Sequence, residues 1–321
     1  MLPILFAEAF NWTNLQQQCI TGLTSGALIA LIALGYTMVY GIVELINFAH
    51  GDLFMLGSCL ALTIFTAFGL AQPGAIDSAS NVSIVLAIAC CLVAVPIFCA
   101  GLNRSVDYVV YRPLRTAPRL APLVSAIGVS FIFMNVGLFW VGPQDVNFPD
   151  VIQDRNLLGD DAVLRFTLKN LLVVGVTVPL MIALTVFVKF TSLGKAMRAT
   201  AQNPTAARLM GINTEFVIGT TFLVGGALAG FGSVVYALYV NTISYQMGFQ
   251  NGLYAFTAAV LGGIGNIPGA VLGGLVIGLV QALGTAYIGA TWTSAIVFAV
   301  LIVILVFRPS GLLGARVREK V

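Results

Sequence analysis

The chain has 321 residues, 59% of them hydrophobic and 8% charged, with a formal net charge of +3 and a mean hydropathy of +1.00. That balance excludes an ordinary soluble globular domain, because apolar runs of about 18 residues or more recur, each long enough to cross bilayer hydrocarbon. The alternating segments of a transmembrane β-barrel do not occur, so the expected fold is all-α: one polytopic transmembrane bundle over residues 1–321.

The opening "MLPILFAEAF" has neither a basic leader nor the apolar core of a cleavable signal, so insertion is expected to use the first spanning helix. Apolar runs and their breaks predict helices over 20–43, 53–71, 82–102, 122–141, 169–190, 216–240, 268–289 and 291–307. The stretch 254–266, "YAFTAAVLGGIGN", is too short for an ordinary span and reads as a half-helix or a tilted pass. The five cysteines (Cys19, Cys59, Cys90, Cys91, Cys99) have no metal-ligand spacing and read as small packing residues; no metal is expected.

Between the first two spans lies "VELINFAHGDLF", residues 43–54, which gathers Glu44, Asn47, Gly51, Asp52 and the sole histidine, His50. Ionised groups are expensive against lipid, so such a cluster is expected to face protein or water. We expect residues 44–52 to interrupt the helices, and three readings stand. The segment is a cytoplasmic turn with Asp52 capping the second helix, a break lining a solute path, or a His50–Asp52 proton relay.

Basic residues orient the chain. Arg104, Arg112, Arg115 and Arg119 follow the third span; Lys189, Lys195, Arg198 and Arg208 follow the fifth; Arg308, Arg316, Arg318 and Lys320 close the chain. In residues 142–168, Asp145, Asp150, Asp154, Asp160 and Asp161 outnumber Arg155 and Arg165, with Lys169 just beyond. By the positive-inside rule, loop 190–215 and tail 308–321 are expected to be cytoplasmic, and loop 142–168 and the N-terminus external. A cytoplasmic tail requires 254–266 to count as a crossing.

The cytoplasmic loop carries "NPTAARLMG", residues 203–211. Asn203 suits an N-cap, Pro204 the first helical position, and Gly211 the left-handed residue past the end. About two turns remain, through Thr205, Ala206, Ala207, Arg208, Leu209 and Met210, too short to be stable undocked. The segment is either a surface helix packed on its own membrane domain or a peg for a cytoplasmic partner. A second break, "LGGIGNIPGAVLGG" at 261–274, holds Gly265, Asn266 and Pro268 in apolar sequence. It reads as a path element or as close helix packing. "VGGALAGFGS" at 224–233 reads as packing glycines. There is no GxxxxGK[ST] phosphate loop, since "LGKAM" at 193–197 lacks both the upstream Gly and the following Ser or Thr.

"TAARLMG" at 205–211 resembles the EAA-x-x-x-G loop of bacterial ABC importer permeases, with Thr205 where Glu is usual. "GLTSGALIALIALGYTMVYGIVELINFAHGDLFMLG" at 22–57, "LGKAMRATAQNPTAARLMGIN" at 193–213 and "FRPSGLLG" at 307–314 closely resemble branched-chain amino acid permeases, nearer the Liv-type H subunit than the M subunit. The resemblance implies a transport subunit of the bacterial inner membrane, not an enzyme. It also implies a second permease subunit, two cytoplasmic ATPases that hydrolyse ATP, and an extracytoplasmic binding protein landing on loop 142–168; the residues also allow that loop to be inert. No cofactor of its own and no nucleic-acid partner are expected. A path poor in charge suits hydrophobic amino acids but equally urea, short amides or neutral sugars. A proton-coupled secondary transporter is the alternative class.

Overall fold

The computed structural model describes residues 12–43, 47–72, 74–78, 80–115, 117–118, 120–152, 154–159, 162–308 and 310–314. The opening segment, Glu44, Arg119, Asp160, Asp161 and the terminal cations Arg316, Arg318 and Lys320 lie outside the described residues.

In chain order the helices are α1 (Trp12–Val43), α2 (Ala49–Ala67), the short α3 (Ala75–Ser78), α4 (Asn81–Val106), α5 (Leu120–Val141), α6 (Leu168–Phe190), α7 (Ser192–Gln202), α8 (Pro204–Leu209), α9 (Thr214–Val240), α10 (Met247–Gly262), α11 (Ile267–Tyr287) and α12 (Ala290–Phe307). The last turn of α4 widens into a π-turn, Asp107–Tyr111, in which the Arg112 N–H donates to the Asp107 carbonyl at 2.7 Å. Among the described residues, eight helices are long and apolar enough to cross a membrane: α1, α2, α4, α5, α6, α9, α11 and α12. Each lies within a few residues of its expected position, except that α1 starts at Trp12 and not near 20. Its polar first turns extend past the apolar run because Gln17 is held by the Arg165 backbone, accepting from its N–H at 2.8 Å and donating to its carbonyl at 3.1 Å.

Two ends of the bundle are distinguished by charge. At the acidic end, β1 (Val146–Asn147) pairs antiparallel with β2 (Thr242–Ile243), joining the loop after α5 to the loop after α9. Lys169, entering α6, pairs there with Asp150 at 2.9 Å and donates to Asn241 at 2.8 Å. At the basic end, Arg112 and Arg115 reach Glu215 in the first turn of α9, at 2.9 and 2.7 Å. The α10–α11 turn lies at the basic end too, since a Cβ on Gly41 near the end of α1 would stand 2.8 Å from Gly265 Cα. Residues 312–313 come back to the same place, where the Leu312 and Leu313 N–H groups donate to Leu261 and Gly262 carbonyls at 2.8 and 3.1 Å. The chain therefore passes from the acidic to the basic end between β2 and Gly262, as the parity of the expected topology requires.

Burial ranks the helices. The most apolar stretch of α1 is 78% buried and that of α2 72%, against 17% for α6 and 11% for α12. So α1 and α2 form the centre, while α6 and α12 turn apolar faces outward. Small residues let the central helices meet. A Cβ on Gly26 of α1 would lie 2.8 Å from Leu275 Cα of α11, a close approach that a larger side chain would prevent. The glycines of 224–233 behave as packing residues, with Gly226 against Ala100 and Gly230 against Pro96 of α4.

Candidate functional sites

The break after α1 is shorter than residues 44–52. His50, Gly51 and Asp52 belong to the first turn of α2, which begins at Ala49. Asp52 does not cap that helix: the cap position is Phe48, with no side-chain hydrogen bond. Its carboxylate turns away and accepts from the Ser130 hydroxyl, near the middle of α5. The start of α2 is thus sunk inside the bundle, not laid on its end as a turn. Backbone breaks at such a depth only inside protein or beside water. Asn47, 3% exposed, accepts from the Tyr111 hydroxyl at 2.7 Å and donates to Asn103 at 3.4 Å. Asn103 in turn donates to the Phe222 carbonyl at 2.6 Å.

A second helix starts inside the bundle. Met247 opens α10 without a side-chain cap, and a Cβ on Gly248 would lie 2.8 Å from Asp52 Cα. The amino termini of α2 and α10 therefore converge around Asp52. Both termini carry partial positive charge, which favours the Asp52 carboxylate placed between them. His50 packs edge-on against Tyr36, ring centroids 4.8 Å apart, in the space left by Gly35, where any Cβ would strike the imidazole. Among the described residues no hydrogen bond joins His50 to Asp52, whose carboxylate bonds to Ser130.

The other expected path residues lie elsewhere. Gly265 (φ 83°) forms part of the α10–α11 turn. Asn266 caps α11 by accepting from the Gly269 N–H at 3.1 Å, and donates to the Leu313 carbonyl at 2.8 Å. Pro268 occupies the first turn of α11. This break is a tight turn at the basic end, and Gly265 lines a cavity of about 240 Å³ with Thr37, Met38, Arg198, Gln202 and Ile267. Asn47, His50 and Asp52 line neither that cavity nor this turn.

At the basic end the punctuation of "NPTAARLMG" works as its residues suggest. The Asn203 side chain accepts from the Ala206 N–H at 3.0 Å, Pro204 opens α8, and Gly211 takes φ 82°. Ala207 is buried, while Leu209 and Met210 are 85% and 83% exposed. Arg208 is tied back to Thr214 at 2.7 Å. The preceding segment, expected only as loop, is the amphipathic α7, capped by Thr191 and anchored by the fully buried Met197.

Sequence reasoning missed the partners of these sites. Asn103, Asp107 and Tyr111 recur at four-residue intervals and so share one helix face, a signal available in the apolar run and its basic flank. Asp107 is fully buried between Arg104 and Arg115, at 2.6 and 2.5 Å. Nothing in the sequence pairs Arg115 with Glu215, or Asp52 with Ser130.

The family described as "branched-chain amino acid transport system / permease component" matches residues 18–306. The chain is 39% identical to the high-affinity branched-chain amino acid transport system permease protein LivH of Escherichia coli strain K12, over 95% of this chain and 97% of that protein. It is equally similar, 39% over the same shares, to BraD of Pseudomonas aeruginosa, which bears the same description. The probable branched-chain amino acid transport permease protein LivH of Methanocaldococcus jannaschii is 28% identical over 89% of each chain. No solved structure matches the chain.

Proposed function

The chain belongs to the family of branched-chain amino acid transport system permease components, and from that membership we propose that it is the membrane-spanning subunit of an ATP-binding-cassette importer for branched-chain or related hydrophobic amino acids. It is a multi-pass membrane protein, which we place in the bacterial inner membrane with its basic end in the cytoplasm. Two cytoplasmic ATPases, a second permease subunit and an extracytoplasmic binding protein complete the machine. ATP is hydrolysed by the ATPases, and this chain acts as a single permease domain without a cofactor of its own.

The observation that carries this reading is α8. A two-turn helix is marginal alone, yet this one is capped, pinned by Ala207 and Arg208, and shows Leu209 and Met210 to the outside. Two exposed large apolar side chains on a fixed knob suit a groove on a partner. In this reading Asn203 to Gly211 form the peg an ATPase pushes. Thr205, lacking a carboxylate, contributes no charge to that contact. The converging starts of α2 and α10 are the candidate hinge of the solute path, with Asn47, His50, Gly51 and Asp52 on the α2 side. Gly265, Asn266 and Pro268 border its cytoplasmic exit.

The test is uptake by vesicles containing the full complex with binding protein outside and ATP inside. Replacing the phosphate-loop lysine of the ATPase subunits is expected to abolish L-leucine uptake. Uptake that persists without ATP and follows a proton gradient would overturn the proposal.

A further inference from the structure

One face of α1 lines two cavities in succession. Gln17 and Thr21 border an open one of about 320 Å³ at the acidic end, together with Asp154, Arg165, Lys169 and Tyr239. Ser25, Ile29 and Ile32 border a second of about 150 Å³ deeper in the bundle, with Tyr236, Asn251 and Gln281, and Tyr239 again. Steps of three or four residues keep Gln17, Thr21, Ser25, Ile29 and Ile32 on one helix face. That face runs from polar at the mouth to aliphatic inside. Tyr239 stands between the two spaces.

We propose that the inner cavity is the site where this subunit holds the transported hydrophobic amino acid, and that the outer cavity is its vestibule; this rests on the transport function proposed above. The outer cavity carries charges of both signs, Asp154 against Arg165 and Lys169, which suits a zwitterion that still has its ammonium and carboxylate in water. The inner cavity has no charged lining residue. Gln281 presents an amide with two donors and an acceptor, which can take either end of a zwitterion, and Asn251 adds a second amide, which also bonds to the Tyr236 hydroxyl. Leu28, Ile29 and Ile32 form the wall for an aliphatic side chain.

Size agrees with that occupant. A cavity of about 150 Å³ takes a guest of benzene size, which is the scale of an aliphatic amino acid side chain. Asn251 lies just inside the uncapped amino terminus of α10. The Asp52 carboxylate already faces that terminus, so the ends of the solute are left to the amides of the lining. A neutral lining holds the solute weakly enough to release it, which passage requires.

The test uses the assembled importer in vesicles, with the five native cysteines replaced and one cysteine introduced by Gln281→Cys or Asn251→Cys. Both thiols are expected to react with a small water-soluble methanethiosulfonate, and saturating L-leucine is expected to slow that reaction at least fivefold. L-Aspartate should not slow it, nor should L-leucine slow the reaction of a Val82→Cys control on the outer face of α4. In the native-cysteine background, Gln281→Trp fills the cavity and is expected to lower ATP-driven L-leucine uptake at least tenfold, with the complex still recovered intact by gel filtration. Unreactive thiols, reaction indifferent to leucine in vesicles that transport it, or full uptake by Gln281→Trp each overturn the site and leave the transport function standing. Vesicles with no ATP-driven amino acid uptake overturn the function, and the site with it.

Discussion

The Tyr111 hydroxyl donates a 2.7 Å hydrogen bond to Asn47 Oδ1, joining the π-turn at the end of α4 to the chain break that precedes α2. Both residues are buried, Tyr111 at 2% exposure and Asn47 at 3%. Four residues before Tyr111, Asp107 holds Arg115, which also reaches Glu215 beside the peg. A short stretch of chain thus spans the distance from the basic end to the interior break. π-turns are rare and concentrate at functional positions.

Removing that hydroxyl leaves the buried Asn47 Oδ1 without the donor it has in the structure. Tyr111→Phe is expected to destabilise the protein by about 1–3 kcal/mol. The ring stays packed on Phe222, centroids 5.5 Å apart, so the loss isolates the hydrogen bond. Adding Asn47→Ala is expected to cost less than the sum of the two single changes, because the partners share one interaction. Thermal unfolding of the four proteins in detergent checks this cycle; strict additivity would show the contact to be energetically idle.

Gly51 and Gly128 make a contrasting pair. A Cβ on Gly51 would lie 2.7 Å from Gly252 Cα, backbone against backbone, whereas nothing stands within 4 Å of one on Gly128. Gly51→Ala is expected to force α2 and α10 apart, at about 1–3 kcal/mol or more for overpacking. Gly128→Ala is expected to be neutral or to stabilise by about 0.5–1 kcal/mol through helix propensity. Melting temperature and folded yield measure both.

Two acidic residues at the basic end should differ sharply. Asp107 is fully buried between two arginines, while the Glu215 side chain is 36% exposed. Asp107→Asn leaves Arg115 partly uncompensated in the interior and is expected to cost about 3–5 kcal/mol. Glu215→Gln weakens solvent-screened pairs and is expected to cost about 1 kcal/mol or less. Its effect should shrink further in high salt, where Asp107→Asn should remain severe. Equal losses for both would contradict the burial difference.

The peg separates folding from assembly. Leu209→Asp with Met210→Ser changes two side chains that touch solvent, so membrane insertion and melting of the isolated subunit are expected to stay unchanged. Co-purification of the ATPase subunits should fall at least tenfold. Bulky residues at Ala207 and Gly211 act differently: Ala207 is buried and Gly211 has φ 82°, so Ala207→Trp with Gly211→Val misplaces the peg. ATP hydrolysis is then expected to continue without uptake, measured as leucine transported per ATP consumed. Normal coupling in that double variant would remove the peg assignment.

Orientation has its own check. Met210→Cys at the basic end and Leu158→Cys in the loop after α5 are both exposed, at 83% and 54%. In a cysteine-free background, an impermeant maleimide added to intact cells is expected to label Leu158→Cys at once and Met210→Cys only after permeabilisation. The reverse pattern would place the peg outside, beyond reach of a cytoplasmic ATPase.

What the sequence by itself determined is what depends on local composition. Length and apolarity of each run set the eight spanning helices, because a segment must satisfy its own backbone in hydrocarbon. The caps of α8 are equally local, with Asn203, Pro204 and Gly211 each acting within a few residues. The distribution of lysine and arginine defined the two ends, since charge is paid for wherever it crosses the membrane. Tertiary structure alone decided how deep the breaks lie and what they meet. Asn47–Asp52 and the α10–α11 turn look alike as polar or glycine-rich interruptions, yet one is sunk among α4, α5 and α9 and the other closes a turn at the basic end. Depth follows from which helices pack together, and in this chain the closest packing runs through glycines whose partners lie far away in sequence. The pairing of Asp52 with Ser130, of Tyr111 with Asn47, and of α1 with α9, α10 and α11 around a cavity has no local signature, because each contact is a consequence of the whole bundle closing.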